Sequence, residues 1–215
     1  MSEATPVKRK RGEHSSSAIN RQRILDAALQ VAHEYGYQGT TIPRVSRKAN
    51  LPSGSVYWHF ENKDMLFASL IEQSREWLVE FNTGRRPRPG ESARDHLTRI
   101  YLNVDDSQSI AARDFWRMGV IFSVDQSVRE QISREKFLDL RQYLKEEYTN
   151  WYRQTLPAEL QEKAPHRAEQ MAKFNMICVD GNLILGAVGD KLDGYLRMTG
   201  LSLISLAEAP PDVLP

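Results

Sequence analysis

Between Thr41 and Phe60 the chain carries two apolar-faced runs, each too short to stand as a helix in water, on either side of Asn50-Leu51-Pro52. Runs of that length hold only by packing on one another, which narrows the local structure to two short helices crossing at a steep angle. The crossing needs apolar residues where the helices touch, a small residue at the closest approach and a turn residue that accepts positive φ. Val45, Ala49, Leu51 and Val56 supply the first, Ser46 the second and Asn50 the third. Thr41 is placed to cap the first short helix, with Pro43 in its opening turn, and Ser53 is expected to cap the second, which runs to roughly His59. The segment therefore reads as a helix-turn-helix. Many such motifs have Ala and Gly where Ser46 and Asn50 stand.

Helical spacing continues on both sides. Upstream, Ile24, Ala27, Ala28, Val31, Ala32 and Tyr35 form one apolar stripe, and Gly36 supplies a stop. Downstream, Asn62 can cap a helix from Lys63 to about Phe81, ended by Gly84-Arg85-Arg86-Pro87-Arg88-Pro89-Gly90, where two prolines and two glycines forbid a regular helix. Further apolar and aromatic blocks cover 93–103, 111–124, 129–156, 167–188 and 192–206, with connectors that hold Pro157 and Pro165. Period-two runs with hairpin turns are missing, so the expected class is all-α: a three-helix head followed by a larger helical body. The expected organisation is a flexible basic tail over 1–17, a head over 18–64, a body over 65–208 and a frayed, Pro-rich end over 209–215.

Charge separates the same parts. Residues 1–60 carry a net +5 and the remainder −4, so the head is suited to a polyanion and the body is not. Cys178 is the only cysteine, which excludes an intrachain disulfide and suits a reducing cytosol; a cytoplasmic location is expected. Lys8 to Arg11 are followed by polar residues rather than an apolar core, so no export signal is expected. The most apolar late stretch, 174–188, is interrupted by Asp180 and Asn182 and is too short to span a bilayer, so no membrane partner is expected. His14, His33, His59, His96 and His166 are scattered, and the chain has no nucleophile elbow, phosphate-cradling loop or metal-ligand spacing. An enzyme, a metal site and a cofactor are therefore not expected.

The second short helix has a surface suited to double-stranded DNA. Set in the major groove, Ser53 and Ser55 can donate to or accept from base edges, Tyr57 and His59 can reach phosphates, and Trp58 can press on thymine methyls or sugars. Lys63 adds a positive charge at a helix start that already favours anions. Each has a blander alternative: Tyr57 and Trp58 as core aromatics, Lys63 as a solvated helix start, and Lys8 to Arg11 as a solubility tail rather than an arm that tracks DNA. Val56 and Phe60 read as core.

The run Ser53-Gly54-Ser55-Val56-Tyr57-Trp58-His59-Phe60-Glu61-Asn62-Lys63-Asp64-Met65-Leu66 resembles the recognition helix and following helix start of the TetR family of transcription regulators. Arg23-Ile24-Leu25-Asp26-Ala27-Ala28 and Tyr35-Gly36-Tyr37 match that family as well, so the motif resemblance covers about residues 20–70. It implies DNA contacts from Tyr57, His59 and Lys63, adds Thr41 and Arg44, and places Gly54 on the same surface. It also implies a body that encloses a small hydrophobic or amphipathic effector, of unknown identity, for which Phe115, Trp116, Tyr148, Trp151, Phe174 and Asn175 are the candidates. Finally, it implies a homodimer built from the last two helices. Val179, Leu183, Gly186, Ala187, Leu196 and Leu203 are the candidate contacts, and the repeated glycines there hint at close helix approach. A twofold dimer would bind a palindromic operator, with repression as the expected output. The alternative is a ligand-independent DNA-binding protein of structural or cell-division type with the same head.

Overall fold

A computed structural model of the chain describes residues 11–103, 116, 119, 120, 123, 124, 131–187 and 194–213. Every element among them is helical. The chain divides into two compact units, Met1–Leu70 and Ile71–Pro215.

The first unit holds α1 (Arg11–Gly39), α2 (Ile42–Ala49), α3 (Ser53–His59) and the start of α4 (Lys63–Thr83). The helix begins at Arg11, so residues 11–17, expected in a tail, are helical. Its regular part ends at Gly36, whose φ of 67° and ψ of 179° only glycine adopts freely. Ile24, Ala27, Ala28, Val31 and Ala32 of the predicted stripe are buried, as is Leu25, but Tyr35, expected on the same stripe, is 52% exposed; Val45, Val56, Phe60 and Leu66 are buried as well. Each large apolar side chain of that set removed from water stabilises the head by about 1.5–3 kcal/mol before the entropy cost of ordering it.

The turn chemistry is local and matches expectation at three points. The Thr41 hydroxyl accepts from the Arg44 amide, Asn50 takes φ 52° and ψ 49°, and Asn62 Oδ1 accepts from the Met65 amide at 2.9 Å. Ser46 is buried at the crossing and donates to the Leu51 carbonyl at 2.6 Å, so a serine in place of alanine ties the turn down. Arg23 donates to the Ala49 carbonyl at 2.8 Å, placing a cation at the negative end of α2. Ser53 corrects one expectation: Pro52 occupies the cap position of α3, without a side-chain bond, and Ser53 Oγ instead donates to Ser46 Oγ at 3.2 Å. Its hydroxyl links the two helices of the motif rather than closing the end of one.

The second unit contains the rest of α4 and α5 (Ala93–Leu97), which runs into a single π-helical turn, Thr98–Leu102. It continues with α6 (Ile132–Thr155), α7 (Ala158–Lys163), α8 (Arg167–Ala187) and α9 (Tyr195–Glu208). Helix α8 packs against α6 and α9, and α9 packs against α5 and the π turn. Leu97, Ile100, Trp151, Tyr152, Met171, Ala172, Leu203 and Ile204 form the core. A Cβ on Gly200 would lie 2.5 Å from Tyr101 Cβ, so this glycine permits a close approach within one chain. Helix α7, which follows Pro157, falls where only a connector was expected.

The carboxyl end also differs from expectation. Arg167 is fully buried; its Nη1 donates to the carbonyls of Leu206 (2.7 Å) and Ala209 (3.3 Å), and its Nη2 to those of Pro210 (2.8 Å) and Pro211 (3.4 Å). Residues 209–211 are thus held rather than frayed, and a 3-10 turn, Pro211–Val213, follows. Among the described residues no helix is long and apolar enough to cross a membrane, and no three His, Cys, Asp or Glu side chains gather where they could hold a metal ion.

Candidate nucleic-acid interface

Helix α3 buries only Val56, and Phe60, which follows it by one turn, is buried too. These two positions fix the helix to the head and turn the remainder outward. Tyr57 is 56% exposed and Trp58 73%, so neither is a core aromatic. Gly54 is exposed, while Ser53, Ser55 and His59 are half-buried along the same surface. A Cβ on Gly54 would meet no atom of the chain. The Trp58 ring stands edge-on to His59, with centroids 4.6 Å apart and planes at 88°. Burial, followed by the charge of Arg21, lowers the pKa of His59 and so disfavours the imidazolium.

The cations expected at phosphates are anchored within the head. Arg44 Nη1 donates to the Gly39 carbonyl at 2.5 Å, and its guanidinium lies 4.5 Å from the Tyr35 ring centroid. Lys63 Nζ donates to the Tyr37 carbonyl at 3.2 Å and sits 3.9 Å over the Tyr37 ring, with its pKa lowered by burial. That bond uses one of the three ammonium protons. Thr41 is exposed beside Arg44. Two further exposed cations escaped the sequence reading: Arg47 in the last turn of α2, and Arg21, whose guanidinium lies 5.3 Å from the Phe60 ring. Their only signal was membership of the basic head, which does not say which face a cation occupies.

In the body, Tyr148, Trp151 and Phe174 belong to one cluster, in which the rings of Tyr148 and Trp151 are 5.0 Å apart. Asn175 joins it through a buried chain of bonds: Tyr101 donates to Asn175 Oδ1 at 2.6 Å, and Asn175 Nδ2 donates to the Tyr152 hydroxyl at 3.1 Å. Trp116 is buried elsewhere, against Phe137, with its Nε1 donating to Asp180, which also pairs with Arg141. Phe115 lies outside the described residues.

Of the candidate dimer contacts, Val179, Gly186 and Leu196 are half-buried, and the side chains of Leu183 and Ala187 lie outside the described residues. Leu203 is a correction: it is fully buried in the body's own core and has no surface left for a second chain. Among the described residues, the large apolar side chains that α8 and α9 leave uncovered include Ile177 and Ile184, seven apart, and Met198 and Leu201, three apart, with Tyr195 at the start of α9; Ile177 is 67% and Met198 60% exposed.

Residues 24–70 match the family model described as "Bacterial regulatory proteins, tetR family". The chain is 28% identical over 178 residues to the HTH-type transcriptional regulator BetI of Burkholderia mallei, an alignment that takes in 81% of this chain and 86% of that one. It is 26% identical over 106 residues to IcaR of Staphylococcus epidermidis, the negative transcriptional regulator of the biofilm operon icaADBC, and there it spans about half of each protein, 49% and 48%. The multidrug binding protein EbrR, solved with malachite green, shares the fold at a TM-score of 0.60 and 17% identity, over 86% of this chain and 96% of that one. The matched head, its left-handed Asn50 turn and its outward α3 lead to one conclusion: residues 24–70 are a helix-turn-helix head of the TetR family of bacterial regulatory proteins.

Proposed function

We propose that the protein is a ligand-responsive repressor that binds a palindromic operator as a homodimer and is released by a small hydrophobic or amphipathic effector. The observation that carries this reading is the pair of exposed aromatics, Tyr57 and Trp58, on a short helix that the head pins only through Val56 and Phe60. Large aromatics left in water on a small domain mark a surface meant for a partner. Here Thr41, Arg44, Ser53, Gly54, Ser55, Tyr57, Trp58, His59 and Lys63 serve that partner.

Dimerisation uses the stripe of Ile177 and Ile184 on α8 with Met198 and Leu201 on α9, apolar surface that the chain itself does not cover. The effector is taken by the body, near Tyr148, Trp151, Phe174 and Asn175. The aromatic dye bound by EbrR and the negative regulation in IcaR's name support both halves of the reading. Effector binding favours a body conformation that shifts α4, and DNA affinity falls, so the two ligands are mutually antagonistic.

The test uses the full chain against genomic fragments, with affinity followed by fluorescence anisotropy as salt rises. Two chains per enriched duplex are expected, with a steep loss of binding in salt. Lys63→Ala should lower the log–log slope by about one phosphate equivalent per subunit. A single chain per duplex, or no enrichment of any fragment, would sink the proposal.

A further inference from the structure

Helix α3 lacks the side chains that usually read bases. Among Ser53, Gly54, Ser55, Tyr57, Trp58 and His59 there is no Arg, Lys, Asn or Gln, the residues whose paired bonds single out guanine or adenine in the major groove. Arg21 and Arg47 are exposed but lie on α1 and α2 rather than on α3, and the other two nearby guanidiniums are held within the head. Arg44 is bonded to the Gly39 carbonyl and stacked on Tyr35, and Arg23 is bonded to the Ala49 carbonyl. The Ser53 proton is committed to Ser46.

What remains is a set of single hydroxyls, which serve any base, a half-buried imidazole and two exposed aromatic rings, of which Trp58 is the more exposed and carries no hydroxyl. Thymine alone among the four bases offers an apolar group in that groove, its C5 methyl. The edge-on contact with His59 braces the indole, and the bare backbone at Gly54, where a side chain would meet nothing in the chain, lets a groove wall come close.

We propose that α3 selects its operator through thymine methyl groups, with Trp58 as the residue that sets base preference and with phosphate binding left to the flanking cations. This rests on the DNA-binding reading above and fixes the class of sequence taken: each half-site carries thymine opposite Trp58.

The experiment takes duplexes enriched by the full chain from a random pool and remakes them with deoxyuridine for thymidine, which removes the methyl and keeps every hydrogen-bonding group. Burying one methyl is worth about 4-fold in affinity, so the uracil duplex should bind roughly 16-fold more weakly across two half-sites, with an unchanged salt slope. Trp58→Ala, made at an exposed position and checked by thermal melting, should bind thymine and uracil duplexes alike, while Trp58→Phe keeps part of the preference. Wild-type protein binding both duplexes within twofold would overturn the inference, as would Trp58→Ala retaining the full preference. Failure to enrich any duplex would instead bring down the DNA-binding reading beneath it.

Discussion

Tyr57 on α3 is 56% exposed, whereas Tyr152 on α6 is fully buried, with its hydroxyl accepting from Asn175. The two residues have the same chemistry and opposite fates, and the cause lies in their neighbours. On α3 the inward positions are taken by Val56 and Phe60, four apart, so Tyr57 and Trp58 point away from the head. In the body, Tyr101 and Tyr152 are drawn inward because Asn175 satisfies both hydroxyls. Buried polar groups are tolerated only when bonded, and the body meets that condition inside one chain. The head leaves Tyr57 and Trp58 in solvent. Aromatic content therefore says little about function until exposure is known.

The strongest way to test this contrast is at Arg167, the largest fully buried side chain among the described residues. Arg167→Met removes a guanidinium that four carbonyls hold, from Leu206, Ala209, Pro210 and Pro211. The carbonyls lose their donors and the carboxyl end loses its anchor, with an expected cost of about 3 kcal/mol. Urea denaturation measures it. A loss below about 1 kcal/mol would mean that the body does not depend on its internal polar bonds in this way.

How much of this was legible in the sequence follows from how far each signal reaches. The α1 stripe from Ile24 to Ala32, the Gly36 stop, the Asn50 turn and the Asn62 cap are decided within about one helical turn, and each is where the residues placed it; Tyr35, expected on the stripe, is exposed. Ser53 misled because its hydroxyl answers to Ser46, seven residues earlier, and not to its own helix. Arg167 gave no signal at all, since its partners are backbone carbonyls that every residue carries. Leu203 shows why the dimer contacts were the hardest part: an apolar ladder looks the same whether it faces its own core or a second chain, and only burial separates the two. The proposed DNA surface was chosen residue by residue from the sequence, but the internal anchoring of Arg44 and Lys63 depends on carbonyls at Gly39 and Tyr37 that no spacing rule reveals.

A paired substitution sharpens the comparison at the next level of effect. Asn175→Leu leaves the Tyr101 and Tyr152 hydroxyls without their bonds in the core, and should cost about 2 kcal/mol of stability. Tyr57→Ala, at an exposed site, should stay within about 0.5 kcal/mol of wild type in the same urea titration while lowering affinity for an enriched duplex several-fold. Equal stability losses from the two would erase the distinction drawn between body and head.

The smallest effect is the most discriminating, because its two readouts should move in opposite directions. Gly54 lies inside α3, where glycine is a poor helix former, and no neighbouring atom of the chain requires its missing side chain. Gly54→Ala should therefore raise stability by about 0.5 kcal/mol, since alanine has less backbone freedom to lose on folding. On DNA the same methyl would stand between the helix and the groove, and affinity should fall. A gain in stability with no change in affinity would place Gly54 away from the groove. A loss of stability would show that its Cβ meets an obstacle within the chain. Only a rise in the melting temperature together with weaker binding identifies a position where the head has given up helix stability to keep room for a partner.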